Sequence, residues 1–262
     1  MEVKQVQEAA QQTWERALLR VGAVCAILGS VISVAAGTGF GNRTVGADTE
    51  TVLRYIAARP DWYWPLVFLG FILGGLLWVG AFIALAGSLT RGVSWALGRL
   101  GVASIIIGAT LHIVDASING VGLTALAHAW AVAPAPEQAN LLRDGDLLLQ
   151  ILSGTWASVI MFFHGVPFIL LGLAVALSHR YPVWLGWIGV GGGVGSLILG
   201  VTMFLGTPGM MYVAFAIVVS LWMVAMDILM WQRASRLPIA ENSGANDGPI
   251  PVLLATGESW QR

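Results

Sequence analysis

His112, Asp115 and Asn119 lie within one apolar run, and His164 lies in another. Imidazole and carboxylate side chains move protons, ligate metals and anchor polar ligands, and all of these uses need partners where water is scarce. At 100° per residue, Asp115 falls about 60° from His112 and Asn119 about 20°, on the same side. Gly101, Ser104 and Gly108 share that sector. A stripe of about 80° thus carries the strongly polar side chains of this run, and it must face the protein, because a lipid-facing Asp costs a few kcal/mol or more.

Height along the helix is the second clue. Counting from Arg99, His112 stands about 20 Å and Asp115 about 24 Å toward the outer side; His164 stands about 22 Å above His179. His112, Asp115 and His164 are therefore predicted at similar depth in the outer half of a bilayer. Pro167 cannot donate to the Phe163 carbonyl, so a kink or a freed carbonyl is expected beside His164. Ser153 and Asp146 project to the His164 face.

Four uses of such a group are open: an interhelical hydrogen-bond cluster, a ligand or substrate cavity lined by His112, Asp115, Asn119, Ser153 and His164, haem or metal ligation by His112 and His164, and proton or ion passage. Asp115 as an acid or base on a lipid-soluble substrate is the enzymatic variant. No H-E-x-x-H, Glu-x-x-His or nucleophile-elbow motif is present. Asp227 lies near the inner surface and is expected to pair with an arginine such as Arg20.

These groups must be positioned by membrane helices. Of 262 residues, 57% are hydrophobic and 10% charged, with a mean hydropathy of +0.79. A soluble domain carries about 25% charged residues, so the class is all-α and polytopic, a bundle of six transmembrane helices. The predicted spans are 17–37, 62–89, 95–123, 147–177, 183–205 and 209–231, with a connection over 124–142 broken at "APAPEQ". His128 is placed in that connection. In the first outer loop, Val52, Leu53 and Ile56 share one face of a short interfacial helix stopped by Pro60. Residues 1–16 form a polar N-terminal segment, 17–236 the transmembrane domain and 237–262 a flexible tail.

Near the span ends, eight Lys and Arg residues fall on the side of the termini (Lys4, Arg16, Arg20, Arg91, Arg99, Arg180, Arg233, Arg236) against four on the other (Arg43, Arg54, Arg59, Arg143), with Arg262 in the tail. Both termini are therefore expected in the cytoplasm, with the protein in a bacterial inner membrane. The bilayer is the expected partner, with other membrane proteins or a second copy as further ones. A net charge of −1 gives no reason to invoke nucleic acid. The single Cys25 forms no internal disulfide, and the single Lys4, in the N-terminal segment, leaves no retinal-type Schiff base.

Glycine-rich stretches, above all "GWIGVGGGVGSLILG", predict close helix approach, not a phosphate loop. Trp62, Trp64, Trp95, Trp130, Trp184 and Trp231 fall at span ends, where aromatic belts form; Trp78 and Trp222 lie inside. Met210 and Met211 could ligate copper, but scattered methionines ordinarily serve as adaptable packing. "NRT" at Asn42 matches a glycosylation acceptor that matters only in a eukaryotic secretory host. "ALGRLGV" and "WLGWIGV" echo one another, as two repeated hairpins of a transporter would.

The stretch from "LHIVDASINGVGLTALAHAW" through "FFHGVPFILLGLAVALSHRYPVWLGWIG" resembles a broad group of uncharacterised bacterial six-helix membrane proteins that share a domain of unknown function. The Asp near the outer end of span three, "HG" in span four and "YP-x-WLGW" entering span five carry the likeness. It implies the six-helix architecture over most of residues 17–232 and no particular activity.

Overall fold

The computed structural model describes residues 2–40, 48–89, 92–206 and 212–237. Asn42, Arg43, Arg91, the start of the sixth span at Gly209, Met210, Met211 and the expected tail beyond Leu237 lie outside them. Every regular element among the described residues is helical: α1 (Glu2–Phe40), α2 (Thr49–Ala57), α3 (Tyr63–Gly87), α4 (Gly92–Ser117), α5 (Leu123–Val132), α6 (Ala135–Val159), α7 (Val166–Ala176), α8 (Val183–Phe204) and α9 (Tyr212–Arg236). Two wider turns interrupt these rods. The π-helical turn π1 (Ile118–Gly122) joins α4 to α5, and π2 (Ile160–Gly165) joins α6 to α7.

Among the described residues, six helical runs are long and apolar enough to cross a membrane. Their outer surface carries exposed Leu69, Leu73, Ile106, Ile107, Ile198 and Leu221, an apolar belt that suits acyl chains and not water. α1 packs between α3 and α9, α4 packs on α3 and α7, and α8 lies against α7 and π2. The bundle is held by small residues at crossings. A Cβ on Gly186 would lie 2.5 Å from Ala176 N, and one on Gly193 would lie 2.7 Å from Ile169 N, so α7 and α8 touch backbone to backbone. That is the role expected of the glycine-rich fifth span.

Two runs are much longer than predicted. The third extends through π1 to Val132 and the fourth begins at Ala135, giving 41 and 42 residues, about 60 Å each against a hydrocarbon core of about 30 Å. The expected connection over 124–142 is therefore helix except at its tip, and His128 is a helical residue whose Nε2 lies 3.1 Å from Asp61 Oδ1. Only "APAP" breaks the chain. Ala133 is extended (ψ 149), as a residue before proline prefers, and Pro136 sits in the first turn of α6, where its missing N–H costs nothing.

The protruding part forms a second core. Val52, Leu53 and Ile56 are buried there with Trp64, Leu123, Ala127, Trp130 and Leu152. The short helix expected in the first outer loop is α2, and its apolar face turns onto α5 and α6 instead of a lipid surface. Trp64 and Trp130, expected in the aromatic belt, are buried with it; Trp64 Nε1 donates to the Ile56 carbonyl at 3.1 Å. Trp62, Trp95, Trp184 and Trp231 remain exposed. Asp48 caps α2, accepting from Thr51 N at 2.8 Å and Thr51 Oγ1 at 3.0 Å. These donors hold its carboxyl below the ordinary value.

Candidate functional site

The site forms where α3, α4, α6 and π2 converge. Its closest approach is at Gly108, where a Cβ would lie 2.3 Å from the Phe162 carbonyl oxygen and 2.6 Å from Phe163 N. Absence of a side chain at this point of the polar stripe lets the π2 backbone rest directly on α4.

π2 realises the kink expected from Pro167. With no N–H at 167, the ladder is re-formed one residue out of step, and Val166 N donates to the Met161 carbonyl. Gly165, at φ −90 and ψ −85, takes the irregular backbone between π2 and α7. π1 has the same pattern, with Leu123 N donating to the Ile118 carbonyl.

His112, Asp115, Asn119 and His164 are all buried. His112 stacks on Phe163 with ring centroids 5.4 Å apart and planes at 23°. His164 meets Phe163 edge-on at 5.0 Å and Trp78 at 6.1 Å. Phe71 and Trp156 close the sides of His112, at 6.3 and 6.2 Å. The two imidazoles therefore converge on one phenyl ring. α4 and π2 run antiparallel, and side chains lean toward the N-terminus of their own helix. His112 thus leans inward and His164 outward, and both meet Phe163.

Gly75 of α3 admits His112. A Cβ there would lie 3.3 Å from His112 Cδ2 and 3.4 Å from Phe163 Cζ. One turn earlier on α3, the Phe71 backbone hydrogen-bonds the His112 ring. His112 Nδ1 has no hydrogen-bond partner among the described residues.

Asp115 belongs to a separate group, further out. Its Oδ1 accepts from Thr155 Oγ1 at 2.7 Å and its Oδ2 from Asn119 Nδ2 at 3.2 Å, while Asn119 Nδ2 also reaches the Asp115 carbonyl at 3.1 Å. Thr155 escaped sequence reasoning, and Ser153, expected in the cavity, is exposed instead. The cause is π2: its extra residue rotates everything before it by about 100° relative to His164. Asp146 is likewise exposed, and accepts from Thr49 Oγ1 on α2.

As for metal chemistry, no three His, Cys, Asp or Glu side chains among the described residues are grouped to hold an ion. Both imidazoles rest against the Phe163 ring. π1 and π2 do not occupy equivalent places in the two echoing hairpins, since one ends α4 and the other precedes α7.

Asp227 does not pair with Arg20. It is 1% exposed, and neither carboxyl oxygen has a hydrogen-bond partner among the described residues. Arg20 lies over the Trp231 ring instead, 5.8 Å from its centroid.

Residues 17–230 match the family described as a domain of unknown function (DUF4386). The chain belongs to that family. A glycerol-3-phosphate acyltransferase of Sinorhizobium fredii is 40% identical over 106 residues, which is 37% of this chain and 49% of that protein. The chain thus spans about half the length of this curated relative. No solved structure matches the chain.

Proposed function

We propose that this chain is a binding or accessory protein of the bacterial inner membrane, with both termini in the cytoplasm. Its ligand would be a small apolar or amphipathic molecule, or a segment of a membrane partner, held between the third and fourth spans and entering from the outer side. The observation that carries this reading is the buried His112 Nδ1, which has no hydrogen-bond partner among the described residues and is walled by Phe71, Trp156 and Phe163.

An unpaired buried polar atom costs roughly 1–3 kcal/mol, a cost that a donor on a bound molecule would offset. The Phe71 carbonyl holds the ring proton on the other nitrogen, so Nδ1 is an acceptor. The ligand would be mainly apolar, with one hydroxyl or N–H donor. π turns recur at binding sites because they free backbone groups and re-aim side chains; here they carry Asn119 and His164. Asp115, fixed by Thr155 and Asn119, supports the outer rim.

The test is extraction and mass spectrometry of what co-purifies with the full chain in mild detergent. The wild type should carry a bound molecule of this type, and His112→Phe should lose it while keeping its fold. If the wild type carries nothing above background, and alanine variants at His112, Asp115 and His164 lose thermal stability alone, the reading is wrong.

A further inference from the structure

A cleft separate from the polar groups of α4 and π2 lies at the opposite end of the bundle, beside the end of α9. This cleft encloses about 250 Å³ and is lined by Arg180, Arg233, Arg236, Tyr181, Leu229 and Leu237, among others. Glu15 on α1 is the carboxylate that meets its arginines: Oε1 accepts from Arg180 Nη1 at 3.3 Å and from Arg233 Nη2 at 3.1 Å. Arg180 also donates to the Ser88 carbonyl, and Ser88 Oγ lies 2.8 Å from the Tyr181 hydroxyl. The guanidinium groups are thereby held in place at a wall that joins α1, the α3–α4 turn and the α7–α8 turn.

Among the described residues, three guanidinium groups face one carboxylate here, an excess of two positive charges. Arg180 and Arg233 are only about a third exposed, with side-chain accessibilities of 30% and 27%, so their attraction for an anion is less screened than at an open surface. Guanidinium forks match phosphate oxygens in geometry. Leu229 and Leu237 make the remaining wall apolar. The volume is below the roughly 300–1,000 Å³ of drug-sized ligand pockets, so the occupant is one small group.

We propose that this cleft binds a phosphate group, with Arg233 and Arg236 as its main contacts, Arg180 behind them, and the leucines against the ester substituent. A lipid headgroup and a free phosphate share this chemistry. Basic pockets between helix ends bind anionic headgroups in this way.

The experiment uses the full chain in nanodiscs. Discs of phosphatidylcholine are compared with discs containing one-fifth phosphatidic acid, and inorganic phosphate is titrated into the first set. Retained lipid is read by native mass spectrometry and melting temperature by scanning. Phosphatidic acid, or inorganic phosphate, should raise the melting temperature, and phosphatidic acid should be retained over phosphatidylcholine. An effect of the lipid alone identifies a headgroup site; an equal effect of inorganic phosphate identifies a site for the free anion. Arg236→Gln and Gln232→Glu alter exposed side chains on the rim, so they should leave the unliganded melting temperature unchanged and weaken binding about fivefold each, as expected for one unit of charge near a membrane surface. Retention no better than phosphatidylcholine with no response to inorganic phosphate, or wild-type binding by both variants, overturns the proposal.

Discussion

The hydroxyl of Thr155 donates to the carboxylate of Asp115 at 2.7 Å, a bond that spans 40 residues of sequence and ties α6 to α4 just inside the outer core. Both ends are buried or partly buried, and the second carboxylate oxygen is engaged by Asn119. Thr155→Val keeps the shape and removes the donor. Its expected cost is about 1–2 kcal/mol, read as a lower melting temperature. Asp115→Asn should cost less in the Thr155→Val background than in the wild type, and a double-mutant cycle measures that coupling. Strict additivity would show that the bond contributes nothing.

Gly108 and Gly191 give opposite expectations for the same change. A Cβ at 108 would overlap the π2 backbone, which cannot yield as a flexible side chain can, whereas nothing lies within 4 Å of a Cβ at 191. Gly108→Ala should therefore reduce the folded yield sharply. Gly191→Ala should be neutral or stabilising by up to about 1 kcal/mol, because alanine is the better helix former. Size-exclusion profiles in detergent separate the two outcomes.

Asp48 makes α2 sensitive to acid. Its folded carboxyl is held below the ordinary value by the Thr51 N–H and hydroxyl. Its stabilising effect is therefore complete above the unfolded value near 3.8 and is lost as pH falls through the lower folded value. Amide exchange in α2 should accelerate in that window. Asp48→Asn retains a capping oxygen without a titrating charge, so its exchange should carry no such acid step.

Asp227 is a buried carboxyl without a hydrogen-bond partner among the described residues. Replacing such a group by an apolar one of similar size removes a desolvation penalty and leaves no other group unpaired. Asp227→Leu should raise the melting temperature, by an amount on the order of 1–3 kcal/mol in stability. A large loss instead would reveal that the carboxyl has a task in the folded protein.

The spans and the inward stripe of α4 were legible because hydropathy and a 100° period are local properties. That period put His112 and Asp115 on the inward side of α4, where both are buried, since no irregular turn lies between them. It failed between Ser153 and His164, where π2 inserts a residue and Thr155 takes the inward place. Pro167 announced an irregularity but not its form. The start of α6 was hidden by its composition: Arg143–Asp146 is charged and does not resemble membrane, yet it continues the helix. Trp64 and Trp130 obeyed the rule for belts by position along the chain, and only the folding of α2 over them shows that they are covered. Arg20 was near enough in sequence depth to serve Asp227, but the Trp231 face took its guanidinium.

The second core around Trp64 and Trp130 stands largely beyond the reach of acyl chains, so the molecule is assembled by two different forces. Expulsion of water seals the outer part, as in a soluble protein; contact between small residues holds the part immersed in lipid, where no water remains to be expelled. Urea and cold should act first on the former, and a change of detergent on the latter. A single unfolding midpoint would then mix two transitions, with Asp115 and Thr155 at the seam between them.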